Sequence, residues 1–300
     1  MSDPASNVVT ITPDGSFSLA AAADFGFGPN TGRPKPDDHS MSLAFVADDL
    51  HHHAAAILTQ EGPVVTARLL GDAEPRVVEA QVSRVLSLDR SGSDWEAVGE
   101  RDPVIGRLQA EHRGLRPVLF HSPYEAAAWS ILSQRRHRAQ ATAVRRRLAA
   151  EHGRVFKLPN GDLEAFPLPD ALLRIESFPG LEPQRIERLH SIARAALEGL
   201  LDPARLLGMA PDAALADLQR LPGIGPTYST LILLRATGAT DILTLGEPRL
   251  PDYVRHFYGL AKAPGPAEME RVAEGWRPFR TWAAVLIRVA GDRAGLAWRR

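Results

Sequence analysis

The 300-residue chain contains no cysteine. That absence excludes disulfides, thiolate zinc sites, iron–sulfur clusters and cysteine nucleophiles. No apolar run approaches the ~18 residues that a membrane helix requires, so no membrane partner is expected. The N-terminus lacks the basic-then-apolar pattern of a secretory signal, and the expectation is a cytoplasmic protein. What is present is ample apolar material. Hydrophobic residues make up 44% of the chain, enough for a substantial core and two domains.

The net charge of −1 conceals an uneven distribution. Residues 1–100 hold 6 Lys and Arg against 15 Asp and Glu, and the remainder holds 29 against 21. An acidic front and a basic remainder place any polyanion partner on the second part. Charge also varies between domains for solubility alone.

The pattern predicts an α+β protein. A small N-terminal antiparallel sheet with helices occupies 1–92, and an all-helical domain occupies 93–300. Strand-like pieces are VVTIT (8–12), SLAFV (42–46) and PVVTARLL (63–70), separated by turns such as GFGPNTGRPKPDD (26–38). Val77, Val78, Val82, Val85 and Leu86 give helical spacing over 75–89. His51, His52 and His53 invite a metal reading, but three consecutive side chains diverge and no Cys assists. A solvated helix start is the expectation there, and no metal-ligand set is assigned.

Residues 221–230 read LPGIGPTYST. Apolar residues at helical spacing flank this break, which predicts two helices and a tight hairpin over about 213–236. Gly223 and Gly225 tolerate positive φ and leave backbone N–H groups uncovered. Such N–H groups at a helix start attract phosphate. The same break serves equally as an ordinary helix–helix turn. SQRRHRAQATAVRRR (133–147) concentrates arginine in one predicted helix. Arginine suits bidentate phosphate contacts, although a solvated helix face would look similar.

Several ordered segments resemble the helix-hairpin-helix DNA glycosylases, and among them the 3-methyladenine DNA glycosylase II family. These are GLRPVLFHSPYEAAAWSILSQR (114–135), FPLPDALLRI (166–175), RIERLHSIARAALEG (185–199), LPGIGPTYSTLILLRATGATDIL (221–243) and AEGWRPFRTWAA (273–284). The acidic front resembles the N-terminal domain of longer members.

The resemblance implies a monofunctional base-excision glycosylase that acts as a monomer on double-stranded DNA. It implies hydrolysis of the N-glycosidic bond of flipped-out alkylated purines. It places Gly223, Gly225, Pro226, Thr227, Arg135 and Arg136 at the DNA. Gln134, Trp129, Tyr228, Trp276 and Trp282 are placed at the base pocket, although each ring could equally be core packing. No organic cofactor is implied. The family's hairpin backbone holds a monovalent cation, which no side-chain motif here could reveal.

Three departures stand out. The family's glutamine pair is Gln134 followed by Arg135. Thr227 stands where bifunctional relatives carry the Schiff-base lysine, which removes that route to strand nicking. The catalytic aspartate is expected six residues after the position matching Asp241, where the chain has Glu247. The alternative is a catalytically silent module that binds DNA or lesions.

Overall fold

The computed structural model describes residues 7–25, 40–158, 161–243 and 246–296. The expected turn at 26–38 lies outside the described residues. The first part runs β1 (Val8–Ile11), α1 (Leu19–Asp24), β2 (Ser40–Val46), β3 (His53–Glu61), β4 (Val64–Gly71) and α2 (Pro75–Val85). Next come α3 (Gly92–Arg101), α4 (Pro103–Glu111), α5 (Pro123–Ser133), α6 (Arg138–His152), β5 (Arg154–Phe156) and β6 (Leu163–Ala165). Then follow α7 (Pro169–Leu173), α8 (Pro183–Leu197), α9 (Pro203–Gly208), α10 (Pro211–Gln219) and α11 (Pro226–Ala236). The chain closes with α12 (Leu250–Tyr258), α13 (Pro266–Glu274) and α14 (Arg280–Arg293). The α+β reading therefore holds.

Nine of these fourteen helices begin on proline. Its fixed φ suits the first helical residue, where the N–H has no intrahelical partner. The many prolines thus start helices rather than break them.

The sheet is antiparallel, in the order β1-β4-β3-β2. Its central strand β3 corrects the helix start expected at His51–His53, since His53 opens the strand and His51 and His52 lie in the turn before it. The signal failed because β3 is buried on both faces, so its sequence does not alternate. Ala54, Ala56 and Leu58 pack into one cluster with Val78 and Val82 of α2. Ala55 packs into another with Ala44, Phe156, Leu158 and Ala165. The β5–β6 ribbon that supplies this second layer corrects the expectation of an all-helical 93–300. The expected helix over 75–89 ends at Val85.

The domain division expected after residue 92 falls in the first turn of α3, whose N-cap is Ser91. Ties across that line are polar as well as apolar. Buried Glu125 of α5 accepts from the Val46 N–H (3.1 Å) and from Arg145 of α6 (2.7 Å), with His121 Nδ1 at 3.3 Å. Burial pushes its carboxyl up, but His121, Arg145 and the Val46 N–H together hold it down at about 2. His53 reaches the Phe166 carbonyl through Nε2 (2.9 Å).

Candidate nucleic-acid interface and active site

The hairpin forms as its sequence directs. The chain leaves α10 at Gln219 and re-enters helix at Pro226. Ile224 turns inward, 3% exposed, while Pro222, Pro226 and Thr227 face solvent. The two glycines do different work. Gly223 has φ +90°, and a Cβ there would lie 2.9 Å from Ile131 Cδ1 and 3.0 Å from Arg188 Cδ. Gly225 is the N-cap of α11, with φ −91° and no side-chain cap on the helix. A Cβ on Gly225 would meet nothing within 4 Å. Glycine at 225 thus keeps the uncapped first turn open to approach from outside.

Gln134, at the C-terminal cap of α5, braces this loop. Its Nε2 donates to the Gly223 carbonyl (2.5 Å), and its Oε1 accepts from Arg188 Nη1 of α8 (3.1 Å). Arg185, one turn earlier on α8, donates to the carbonyls of Ile131, Leu132 and Gln134. Sequence reading missed these two arginines, although their spacing within RIERLH sets them on one helix face. The carbonyls of Leu221 and Gly223 already accept from Ile224 and Gln134. Any monovalent cation at the hairpin would share them.

The single helix expected over 133–147 is corrected. α5 stops at Ser133, α6 starts at Arg138, and Arg135 between them takes φ +52°. This break puts Arg135, exposed, beside the residue that grips the hairpin. Four of the other five arginines are engaged by acids and carbonyls distant in sequence. Arg136 donates to the Gly180 carbonyl and to Glu182, Arg145 to Glu125, Arg146 to Glu164, and Arg147 to the Pro179 carbonyl. The basic run is therefore less available to a polyanion than its composition suggests.

Glu247 lies in the short loop before α12. That loop is fixed upstream to the start of α14. Asp241 pairs with Arg277 (2.7 Å) and Arg280 (2.7 Å), and the Ile242 N–H donates to Thr281 Oγ1 (3.0 Å). The Glu247 side chain is 29% exposed, and its Oε1 accepts from Arg249 Nε at 3.0 Å. Among the described residues, no hydrogen bond or ion pair joins Glu247 to the hairpin or to Tyr228.

No protein-family model matches the chain. It is 32% identical to DNA-3-methyladenine glycosylase 2 of Escherichia coli (strain K12) over 192 residues. The aligned part is 61% of this chain and 63% of that relative, just under two thirds of the relative's length. The fold superposes on the 3-methyladenine DNA-glycosylase from Archaeoglobus fulgidus with a TM-score of 0.74 at 18% identity, covering 96% of this chain and 100% of that one. It also superposes on MBOgg1, solved in complex with a low-affinity DNA ligand, with a TM-score of 0.71 at 17% identity over 96% of each chain. The chain is similar to 3-methyladenine DNA glycosylases in sequence and shares their fold.

The four aromatics expected around one pocket are not brought together. Trp276 is 0% exposed and donates through Nε1 to Tyr258 Oη (2.8 Å). Trp282 is 2% exposed and packs edge-on against Trp95 and Phe279. Both belong to the cluster between α3, α4 and α12–α14, and neither offers a ring face here. Trp129 is 7% exposed in the other helical cluster, and Tyr228 packs against that cluster half-buried. Among the described residues, no group of three or more His, Asp or Glu could hold a metal ion. No described helix is long and apolar enough to cross a membrane.

Proposed function

We propose that this chain is a base-excision DNA glycosylase, monofunctional, that hydrolyses the N-glycosidic bond of flipped-out alkylated purines in double-stranded DNA. One observation carries the reading most of the way. The uncapped first turn of α11 is left open at Gly225 and held rigid from behind by Gln134 and Arg188. Backbone N–H groups so presented bind phosphate without reading sequence. The backbone N–H groups of Gly223, Gly225 and Thr227 form this grip, Pro226 sets the start of the helix between them without donating, and Arg135 stands beside it. The relatives named for 3-methyladenine glycosylase activity support the choice of substrate class.

The chemistry asks little of the protein. A 3- or 7-alkylated purine carries positive charge and leaves as a neutral base when it takes the bonding pair. The sugar left behind resembles an oxocarbenium ion. The Glu247 carboxylate stabilises that cation and helps water attack C1′. Tyr228, with Trp129 behind it, supplies aromatic surface for the cationic base. Thr227 has no amine for a Schiff base, so the enzyme does not nick the strand by that route. Among the described residues the large apolar side chains still exposed, Val8, Val155, Leu197 and Leu207, are few, which supports action as a monomer.

The test is release of free 3- and 7-methylpurines from methylated duplex DNA, with Glu247→Gln as control. Release by the wild type and none by the control is the expected outcome. Binding without release would favour the catalytically silent module.

A further inference from the structure

The carboxylate assigned to catalysis is one methylene longer than the family's aspartate, and the structure shows what restrains it. Two donors converge on Glu247 Oε1, the Nε of Arg249 at 3.0 Å and the Arg249 backbone N–H at 3.4 Å. Oε2 takes no partner among the described residues. Arg249 is held in turn from its far end, where Nη1 donates to both oxygens of Asp292 at 3.1 and 3.3 Å. Asp292, near the end of α14, also accepts from Tyr253 Oη (2.7 Å) and from Arg288 Nη1 (3.1 Å). Even the ring of Tyr253 is fixed, because it lies so close over Gly291 that an added Cβ there would collide with it.

We propose that Arg249 is a positioning residue for Glu247, and that Asp292 sets how much of the Arg249 charge reaches that carboxylate. The proposal rests on Glu247 as the catalytic group. A glutamate has one more rotatable bond than an aspartate, and a displacement of about 1 Å can cost about a hundredfold in rate. Bonds to Arg249 on one oxygen restrict that freedom and leave the other oxygen for the reaction. A lone arginine so close would also cancel much of the negative charge that the oxocarbenium ion requires. Here one guanidinium serves two carboxylates, so Glu247 keeps part of its charge. The side chains of Glu247, Arg249 and Asp292 are 29, 32 and 37% exposed. A half-exposed chain of this kind contributes little stability, so its worth lies in orientation and charge.

Three variants test this: Arg249→Met, Arg249→Lys and Asp292→Asn, compared with Glu247→Gln in single-turnover base release and in DNA affinity. Arg249→Met is expected to lower the release rate about tenfold to a hundredfold while DNA affinity stays within about threefold. Arg249→Lys is expected to recover part of the loss. Asp292→Asn keeps the shape but frees Arg249 to neutralise Glu247, and the rate is expected to fall by about tenfold at unchanged affinity. If Arg249→Met proves unfolded by circular dichroism, Asp292→Asn decides alone. Release lost in Glu247→Gln but retained within twofold in Arg249→Met and Asp292→Asn would overturn the positioning role and leave the proposed function standing. Release that is absent in the wild type, or equal in Glu247→Gln, would remove that function and this role with it.

Discussion

Glu125 shows how a single residue joins the two parts of the molecule. It is buried, yet it is satisfied from the sheet by Val46 and from the helices by His121 and Arg145. Removing one member of such a cluster leaves the others buried and uncompensated, so Glu125→Gln is expected to lower stability by about 3–5 kcal/mol in denaturant titration. Its carboxyl is depressed from 4.5 to about 2 in the folded state. Its contribution is therefore complete above pH 4.5 and is lost as pH falls through about 2. The acid limb of wild-type stability should be shallower in Glu125→Gln. The histidine run divides at the same scale. His51→Ala with His52→Ala should leave stability unchanged, whereas His53→Ala forfeits the bond to the Phe166 carbonyl and should lose about 1 kcal/mol. Of these partnerships only His121–Glu125, four residues apart, is local; those of Val46 and Arg145 with Glu125 and of His53 with Phe166 join residues distant along the chain and were not legible in the sequence. Glu247 was singled out by the family resemblance, which says nothing of Arg249 and Asp292.

Among the elements, the hairpin was the most legible. Its Pro and Gly punctuation states both where the helices stop and which backbone must stay bare. The two glycines give separable predictions. Gly225→Val places a side chain in open space at a permitted φ, so the fold should persist while affinity for duplex DNA drops by about tenfold. Gly223→Val forces positive φ and presses on Ile131 and Arg188, so melting temperature should fall as well. A thermal scan beside a binding titration separates them. Strand β3 was illegible for the opposite reason. Its alanines are buried on both faces, and alanine carries no strand preference of its own. The break between α5 and α6 escaped notice because no Gly or Pro marks it, and Arg135 takes positive φ without one.

At the scale of the whole molecule, the α+β layout and the family resemblance were readable because composition changes near residue 92 and several motifs occur in a fixed order. The expected extent of free basic surface was not, since Glu182, Glu125 and Glu164 come from elsewhere to engage Arg136, Arg145 and Arg146. A phosphate grip built from hairpin backbone with a few arginines should still make binding salt-dependent, with a log–log slope of about −3 to −5 against salt concentration. A flat profile from 50 to 200 mM salt, measured by fluorescence anisotropy, would speak against DNA as the partner. The central claim, that Glu247 on this scaffold breaks the bond to an alkylated base, is tested most directly by the single-turnover rate of free-base release from methylated duplex DNA in Glu247→Gln relative to wild type. The prediction is a rate lower by about a hundredfold or more with binding intact. Equal rates in the two proteins would contradict it.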